Sequence, residues 1–572
     1  MDQHLVARVL EEIAACLELR GENVFKVRAF QNAARTVETF PGDLAAAVAS
    51  GELAATKGIG PATLDVVREC LATGRSTALE TLRGEVPPGL VEMLRITGMG
   101  VAKIRTMHEE LRITTLAELE AAARDGRLAR LTRFGEKTAA KILKGLEFLR
   151  RTAAYRLVHH ATRQAEQLRA TLAALPEVVR VEIAGSVRRR CEVIRDVDLA
   201  VSTTLRPQAL GERLGRSGGA REIVATDPAG LTVRLADGTT ADLYVAAPER
   251  FGPVLAWATG SAAHLALLQA HAASRGITLD ASGPVRDGVG IPCPDEETLY
   301  RLLGLAWIPP ELREGSDEIA RAAAGTLPRL LERADLRGLL HCHTTFSDGT
   351  NTVAELAEAC GALGYAYLGI TDHSEAAAYA GGLSAERVAR QHEEIDAWNR
   401  ASPDVRVLKG IEADILADGR LDYAPEVLDG LDFVIGSVHS RFDLDERTMT
   451  ERVLTAMADR HLAILGHPTG RLLLTRDPYP VDLRAIIARA AETGVAIEIN
   501  ADPQRLDLDW RLCREARDAG VAIAVSTDAH SLAGLANADL GVGIARKGWL
   551  EAKDVLNTRD AEGFLEHGQA RR

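Results

Sequence analysis

The amino-acid sequence predicts a multidomain fold: an all-α region first, then an α/β unit, and a (β/α)7 barrel last. Its 572 residues, 46% of them hydrophobic, exceed one ordinary domain and can bury several cores. The hydrophobic pattern changes from helical periodicity to strand-like runs near residue 151. From residue 335 onward, seven apolar runs alternate with helical stretches, which is typical of a parallel sheet closed into a barrel.

The net charge of −13 is confined to the last third of the chain. Residues 334–572 hold 25 Lys and Arg against 39 Asp and Glu, whereas residues 1–150 hold 21 against 20 and residues 151–333 hold 22 against 22. The first two thirds can therefore present local basic patches to a phosphate backbone. Seven scattered cysteines without a C-x-x-C pair, and the lack of a long apolar run, predict a cytoplasmic protein with no membrane partner.

Residues 1–150 contain helical segments broken by a glycine-containing turn that occurs three times. The turns are KGIGP, TGMGV and RFGEK, and in the third Arg133 replaces the first glycine. A single turn of this kind is more often a plain connection between helices. Recurrence favours a sequence-independent grip on a DNA backbone, in which peptide N–H groups and the next helix N-terminus meet a phosphate. The expected DNA-backbone contacts are Gly58, Gly60, Gly98, Gly100 and Gly135.

The segment from Gly185 to Asp198, GSVRRRCEVIRDVD, ends in an Asp-x-Asp pair on a predicted strand. Residues i and i+2 of a strand face one side, so Asp196 and Asp198 would present adjacent carboxylates, and Asp242 on another predicted strand would add a third. Three carboxylates can hold two Mg²⁺ or Mn²⁺ ions that serve the attacking hydroxyl and the leaving pyrophosphate of nucleotidyl transfer. A solvated turn is the ordinary explanation of a lone D-x-D, but the preceding G-S-x-R-R favours the catalytic one.

In residues 335–572, side chains of metal-ligand type fall at the ends of the seven apolar runs. Functional residues gather at the C-terminal ends of the strands in such barrels. A lone His is usually structural, but nine candidates exceed what one ion needs, and imidazole with carboxylate favours Mn²⁺, Zn²⁺ or Fe²⁺. Two or three ions are expected, a set suited to hydrolysis of a phosphodiester. The nine candidates are His341, His343, Asp348, His373, Glu412, His439, His467, Asp528 and His530.

Residues 1–320 resemble the X-family DNA polymerases. The resemblance rests on the helical region with its glycine turns, on G-S-x-R-R followed by D-x-D, on the T-G-S at residues 259–261, and on the tail GLAWIPPELRE at residues 304–314. It implies an N-terminal helix-hairpin-helix region, then a nucleotidyltransferase palm and a thumb. By this resemblance the catalytic, metal-binding carboxylates are Asp196, Asp198 and Asp242. The residues that bind an incoming nucleoside triphosphate are Gly185, Ser186, Arg189, Gly260 and Ser261.

Three departures from the X-family pattern bear on the strength of the polymerase. Leu265 and Gln269 stand where the family usually has an Asn and an Arg that touch the minor-groove edges of the bases, and a Leu cannot donate those hydrogen bonds. Trp257 and Ala258 replace a Tyr and a Phe. The helix after the first glycine turn, ATLDVVREC, lacks the Lys used for 5′-deoxyribose phosphate excision. Slow or error-prone polymerisation without this lyase activity is therefore expected.

Residues 335–572 resemble the polymerase and histidinol phosphatase (PHP) family through the segments HCHTTFSDG, TDHS and DAH. All nine ligand positions of that family are filled, which implies a catalytic domain with a distorted (β/α)7 barrel. Joined to an X-family polymerase, such a domain is expected to trim DNA 3′ ends, usually with manganese.

Together the two resemblances predict a repair enzyme that fills short gaps and removes nucleotides 3′ to 5′, in base excision repair or end joining. The main alternative is a 3′-end-processing nuclease or phosphatase whose weak polymerase half is a DNA-binding platform. A non-catalytic DNA-binding scaffold and a small-molecule phosphatase are further alternatives. Expected partners of the monomer are gapped or 3′-ended duplex DNA and deoxynucleoside triphosphates. The predicted domains are an N-terminal helical domain that binds the gap and its 5′-phosphate (1–80), helix-hairpin-helix fingers (81–150), palm (151–250), thumb (251–319), linker (320–334) and PHP domain (335–572).

Overall fold

The structure is a computed structural model, which describes residues 3–38, 40, 42–96, 98–132, 134–401 and 404–569. Thr97 and Arg133, which belong to the second and third glycine turns, lie outside the described residues. The chain divides into two compact units, Met1–Tyr155 with Leu474–Arg476, and Arg156–Leu473 with Asp477–Arg572. Within the described ranges, a search for a helix with the length and hydrophobicity of a membrane span finds none. The domain boundaries given above stay predictions.

The first unit has the all-α fold that the sequence predicts. Its helices are α1 (Gln3–Leu19), α2 (Val24–Glu38), α3 (Leu44–Ser50), α4 (Glu52–Ala55), α5 (Pro61–Thr73), α6 (Thr77–Glu85), α7 (Pro88–Met93), α8 (Val101–Leu111), α9 (Leu116–Arg124) and α10 (Glu136–Thr152). Apolar residues at helical spacing form the core: Val6, Leu10, Ile13 and Leu17 of α1 are buried where α1 packs on α2 and α5–α8. Each of the three glycine turns leads into a helix, α5, α8 or α10, as the sequence predicts.

A five-stranded sheet lies at the centre of the residues that follow. Its elements are β1 (Arg156–Leu157), α11 (Val158–Ala173), β2 (Val178–Ile183), α12 (Gly185–Arg188), β3 (Val193–Ile194), β4 (Val197–Thr203), α13 (Pro207–Arg216), β5 (Glu222–Asp227), β6 (Gly230–Arg234) and β7 (Thr240–Ala246). The strand order is β2-β4-β7-β6-β5, with β4 and β7 parallel and the other neighbours antiparallel. Strand β4 is buried along its whole length, in line with the continuous apolar run at residues 199–201.

The residues after this sheet form a small helical subdomain held by buried charges. Its elements are α14 (Phe251–Thr259), α15 (Ala262–Ala273), β8 (Thr278–Asp280), β9 (Gly283–Arg286), β10 (Val289–Gly290), α16 (Glu296–Leu302) and α17 (Glu318–Ala324). Buried Arg313 donates to Glu296 over 2.6 and 3.0 Å, and Glu296 also accepts two hydrogen bonds from Arg188 of the palm. The network ties this subdomain to the palm because one carboxylate serves both guanidinium groups.

Seven parallel strands form the last part of the chain, as the sequence predicts. The strands are β11 (Gly338–Cys342), β12 (Tyr367–Ile370), β13 (Arg406–Asp414), β14 (Phe433–Ser437), β15 (Leu462–Leu465), β16 (Ala496–Asn500) and β17 (Ile523–Ser526). The helices are α18 (Val353–Ala362), α19 (Ala385–Ala401), α20 (Pro425–Leu428), α21 (Glu446–Ala456), α22 (Leu483–Thr493), α23 (Trp510–Asp518), α24 (Ala538–Lys547) and α25 (Ala561–Gln569). The strands follow chain order, and the ends of the sheet meet where Thr527 N donates to Leu340 O over 3.1 Å, so the barrel is nearly closed.

Two candidate catalytic centres

Three carboxylates converge at one end of the palm sheet. Strands β4 and β7 pair with Asp198 directly opposite Asp242. Asp196 precedes β4 by one residue, which corrects the expectation that strand alternation sets Asp196 beside Asp198. Burial, together with the charges of Asp196 and Asp242, raises the pKa of Asp198 to about 7. A cation beside Asp198 would offset this repulsion and allow the carboxyl group to ionise. The site is therefore suited to bind a cation.

The surroundings of these carboxylates fix their orientation. A Cβ on Gly185 would overlap Asp198 Oδ2, and φ is +59° at this residue, so only glycine allows α12 to approach so closely. Thr232 Oγ1 donates to Asp242 Oδ1 over 2.5 Å. Among the described residues, the three carboxylates do not form a group whose donor atoms all lie within 4.8 Å of one another. Their oxygens are nevertheless the ligands that Mg²⁺ and Mn²⁺ prefer, so the residues fit divalent cations.

The residues expected to bind a nucleoside triphosphate share one neighbourhood. The Arg189 guanidinium donates to the Thr259 carbonyl, and its Nε donates to Glu314 Oε1 over 3.0 Å. Arg189 Nη1 would lie 3.2 Å from a Cβ on Gly260. Ser261 caps α15 because its Oγ accepts from the His264 amide over 3.2 Å. Arg189 and the T-G-S turn are therefore in contact, while Ser186 is half-buried in α12 beside them.

In the barrel, the nine expected metal ligands lie at or beyond the C-terminal ends of the strands. Their donor atoms form four groups, and the atoms of each group lie within 4.8 Å of one another. The groups are His343, Asp348, His373 and His530; His341, Glu412 and His467; His341, His343 and Asp528; and His373, Glu412 and His439. Four residues belong to two groups each, so the cluster offers more than one overlapping set of ligands.

Unpartnered buried atoms show that this cluster suits cations. Within the described chain, five buried atoms of the cluster lack a hydrogen bond, although two of them, His373 Nδ1 and Glu412 Oε2, lie 2.9 Å apart. The other three are His341 Nε2 and both ring nitrogens of His343. Buried polar atoms without partners are costly, and imidazole nitrogens with carboxylate oxygens are ligands of transition metals. Bound divalent metal ions would remove that cost.

The surroundings lower the pKa of some histidines in the cluster and raise the pKa of others. Burial, with the neighbouring imidazoles of His530 and His373, lowers the pKa of His343 to about 3. Burial opposes a charge on His439 as well, but the carboxylates of Glu412 and Asp414 raise its pKa to about 9. Without metal, the carboxylates are therefore balanced by protons on particular imidazoles, and cations would displace those protons.

Three of the ligands occupy left-handed backbone conformations, with φ of +60° at His341, +23° at His467 and +49° at Asp528. This corrects the expectation that strand alternation alone makes His341 and His343, or Asp528 and His530, face one way. The register of β11 shifts before Cys342, and β17 ends at Ser526. Both pairs still meet, because the ring centroids of His341 and His343 are 5.3 Å apart and His530 Nδ1 lies 3.8 Å from Asp528 Oδ1. Backbone strain of this kind clusters at ligand sites.

Most glycines in the turns of the first unit have open space beside their backbone. Gly60, Gly100 and Gly135 are extended and directly precede α5, α8 and α10. A Cβ on any of these three, or on Gly98, would meet no atom within 4 Å. Gly58 differs, since its Cβ would contact Thr36 of α2. The Gly60 N–H already donates to Thr63 Oγ1 over 2.9 Å. The open space at Gly100 and Gly135 leaves room for an anionic oxygen at the N-termini of α8 and α10.

Comparisons with known proteins agree with this architecture. Family models match as a helix-hairpin-helix domain (1–76), a SAM-like helix-hairpin-helix tandem (90–147), a DNA polymerase beta thumb (254–314) and a PHP domain (340–502). A curated protein of Bacillus subtilis (strain 168), named DNA polymerase/3'-5' exonuclease PolX, is 36% identical over 567 residues, which covers 98% of each chain. The chain belongs to the PolX family.

Other relatives of this PolX family member share only a segment of it. A protein of Clostridium acetobutylicum named as a probable phosphatase is 34% identical over 137 residues, 22% of this chain and 53% of that protein. A protein of Escherichia fergusonii, named "Probable phosphatase YcdX", is 29% identical over 180 residues, 30% of this chain and 71% of that protein. The end-to-end match to PolX therefore decides the family.

The sequence analysis of this PolX chain missed the residues that orient the metal ligands. Glu498 Oε1 lies 2.6 Å from His341 Nδ1, and Asp414 Oδ1 lies 2.6 Å from His439 Nδ1. Arg505 Nε lies 3.2 Å from Asp528 Oδ2. Such partners set the orientation of a ligand and of its ring nitrogens. The available signal was an acidic residue inside an apolar strand, as in VAIEIN.

Proposed function

We propose that this PolX chain is a DNA-directed DNA polymerase that fills short gaps, carries a metal-dependent 3′-5′ exonuclease, and acts in DNA repair. The observation that carries the proposal is the presence of two separate clusters of metal-ligand type on one chain: the palm carboxylates and the nine barrel donors. The relative whose printed name states both activities matches 98% of the chain, which supports assigning both.

At the palm, we assign Asp196, Asp198 and Asp242 as catalytic ligands of Mg²⁺ or Mn²⁺. Cations bound there would compensate the charge that develops on the attacking 3′ hydroxyl and the leaving pyrophosphate. The protein contributes positioning: α12 fixes Asp198 through Gly185, and Thr232 orients Asp242. The permanently charged guanidinium group of Arg189 would bind the phosphate groups of the nucleoside triphosphate. The proposed neighbours of the triphosphate are Gly185, Ser186, Gly260 and Ser261.

At the barrel, we assign all nine donors to two or three ions of Mn²⁺, Zn²⁺ or Fe²⁺. Such ions would polarise the terminal phosphodiester and make water a competent nucleophile near neutral pH. The protein orients the imidazoles through Glu498 and Asp414. Asp348 and His530 are the ligands with the most exposed side chains, 35% and 40%, so the DNA end approaches from their side.

DNA is held by the first unit in this proposal. The turns at Gly58, Gly60, Gly98, Gly100 and Gly135 would contact phosphates of a gapped or 3′-ended duplex through their backbone, and Gly98, Gly100 and Gly135 have open space beside them. Contacts to phosphate alone carry no sequence information, which suits an enzyme that acts wherever a gap occurs.

The test uses a 5′-labelled primer in a one-nucleotide gap with Mn²⁺, and product length is read on a gel with and without deoxynucleotides. Extension with nucleotides and shortening without them is the expected result. Products that never shorten would contradict the exonuclease assignment, and products that never lengthen would contradict the polymerase assignment.

A second candidate function is a 3′-end-processing nuclease or phosphatase with a weak polymerase half. The observation that favours it is the thumb helix α15, where apolar Leu265 is half-buried and the Gln269 amide already donates to the Leu279 carbonyl over 2.9 Å. Leu265 cannot hydrogen-bond a base edge, and one amide hydrogen of Gln269 is already used within the thumb. Shortening of the primer under both conditions would make this candidate the better account.

A further inference from the structure

An exposed aromatic side chain borders the barrel cluster. Tyr379 is 72% exposed and lies on a short turn, Ala378–Ala380, after β12. Its ring centroid is 6.1 Å from that of His373 and 6.3 Å from that of His439. Neither of the proposed catalytic assignments uses this tyrosine.

The loop that carries Tyr379 is braced from several sides. Leu383 N donates to His373 O over 2.9 Å, which closes the base of the loop. Arg387 of α19 donates to the Gly381 carbonyl over 2.8 Å and also to the Phe346 carbonyl, so it ties the loop to the segment that precedes Asp348. Leu383 itself is fully buried. The ring of Tyr379 is therefore exposed on a fixed support rather than on a loose segment.

Tyr379 also lies beside the open side of the cluster. Side-chain exposure is 7% for His373 and 8% for His439, but 35% for Asp348 and 40% for His530. His373 contacts this open side, since its Nε2 is 3.6 Å from Asp348 Oδ2 and its ring centroid is 6.2 Å from that of His530. Tyr379 and the two exposed ligands are therefore common neighbours of His373.

We propose that the ring of Tyr379 is a stacking platform for the 3′-terminal base of the strand that the barrel centre trims. The inference rests on the proposed exonuclease and names how its substrate is held. Stacking on an aromatic ring accepts any base, because every base has a π face, and it suits trimming without sequence preference. The alternative is a merely structural tyrosine, but a side chain that is 72% exposed buries little apolar surface and so contributes little to stability.

The first test measures stacking without catalysis. The full-length protein is mixed in EDTA with a single-stranded oligonucleotide that ends in 2-aminopurine, since the palm centre requires a paired primer end. Wild-type protein and Tyr379→Phe should quench the fluorescence of the terminal base, and Tyr379→Ala should not. Tyr155→Ala, which removes another exposed tyrosine, is the matched control and should behave like wild type. Equal quenching by wild type and Tyr379→Ala would overturn the inference.

The second test separates the inference from the exonuclease proposal. Tyr379→Ala should raise the KM for trimming a normal 3′ end about tenfold, the worth of one stacked base, with little change in kcat. On a strand whose terminal nucleotide lacks a base, wild type and variant should have the same KM. Equal KM values on the normal end would refute stacking while the exonuclease stands. A wild-type protein that trims neither strand would refute the exonuclease, and the quenching measurement would still decide stacking.

Discussion

Single side chains decide the chemistry of the barrel centre. His343 belongs to two of the four ligand groups, is fully buried, and its Nε2 lies 3.2 Å from Asp528 Oδ1. His461 is nearly as buried but lies outside every group and pairs with Asp459 and Asp429. Replacing each histidine in turn therefore distinguishes the effect of losing a proposed metal ligand from the effect of losing a buried imidazole.

His343→Ala should lower the metal content of the purified protein by about one ion per chain, because a transition-metal site that loses one of its few ligands binds much more weakly. His461→Ala should keep the wild-type content. Inductively coupled plasma mass spectrometry after dialysis measures both. Equal metal content in His343→Ala and wild type would contradict the ligand assignment.

At this scale the sequence predicts residue type well and orientation poorly. All nine barrel ligands meet in the structure because each follows or ends an apolar strand of a parallel barrel. Glu498 inside β16 and Asp414 at the end of β13 were missed because no spacing rule links a buried carboxylate to a histidine partner far away in the chain. Tyr379 was missed for a similar reason, since exposure on a braced loop depends on tertiary contacts.

The helices that follow the glycine turns provide a test of the proposed contacts with the DNA backbone. Gly100 is the N-cap of α8, with φ of −74° and open space where a Cβ would lie, so other residues fit there. Gly100→Asp places a good helix cap, but also a negative charge, at the expected phosphate position.

Gly100→Asp should weaken binding of a fluorescein-labelled gapped duplex roughly tenfold, the worth of one charge-assisted hydrogen bond, and should leave the melting temperature unchanged or higher. Gly100→Ser, a neutral cap of similar size, should bind nearly as wild type. Fluorescence polarisation and thermal unfolding provide the two readouts. Tight binding by the Asp variant would show that this turn is only a connection between helices.

Another prediction concerns helix α16 and its buried carboxylate. Burial opposes the charge of Glu296, but the guanidinium groups of Arg313 and Arg188 hold its pKa well below the ordinary value. Glu296→Gln should destabilise the second unit by about 3 kcal/mol or more, because two arginines then lose their counter-charge. Glu297→Gln, an exposed neighbour on the same helix, should have little effect.

The pH dependence of this difference has a definite sign. A depressed carboxyl pKa adds stability above the unfolded value of about 4.3 and loses it as pH falls toward the folded value. The gap in unfolding free energy between wild type and Glu296→Gln should stay constant from pH 8 to about 5 and shrink below about 4. Urea unfolding across this range measures it, and a gap that widens at low pH would contradict the assigned ion pair.

Element types follow from the hydrophobic period, but element ends do not. All seven barrel strands and the three helices after the turns were predicted because each apolar run is long and clearly bounded. Strand β4 begins one residue after Asp196, and β17 ends two residues before Asp528. Local turns and left-handed residues decide such ends, and tertiary packing at the site stabilises them.

In the second unit, a buried lysine of the barrel domain contacts residues of the proposed triphosphate site. Lys547 of α24 is 1% exposed, donates to the Arg189 carbonyl over 3.0 Å, and forms an ion pair with Glu314. Glu314 also accepts from Arg189, the proposed triphosphate ligand. We therefore expect Lys547 to act as a positioning residue, because it shares the Glu314 carboxylate that would otherwise pair with Arg189 alone.

Lys547→Met should raise the KM for the deoxynucleotide in gap filling several-fold, with a smaller change in kcat, because Glu314 then pairs with Arg189 alone. Trimming of a 3′ end should stay near the wild-type rate. Lys553→Met removes an exposed lysine of the same domain and is the control. An unchanged KM would mean that the two domains are merely packed together.

The central claim is that one chain carries two independent catalytic centres. Asp198→Asn and His341→Ala each remove one metal ligand from one centre, and both are assayed on the same 5′-labelled primer in a one-nucleotide gap with Mn²⁺. Asp198→Asn should shorten the primer with or without deoxynucleotides and never extend it, whereas His341→Ala should extend it and never shorten it. Loss of both activities in either folded variant would contradict the account.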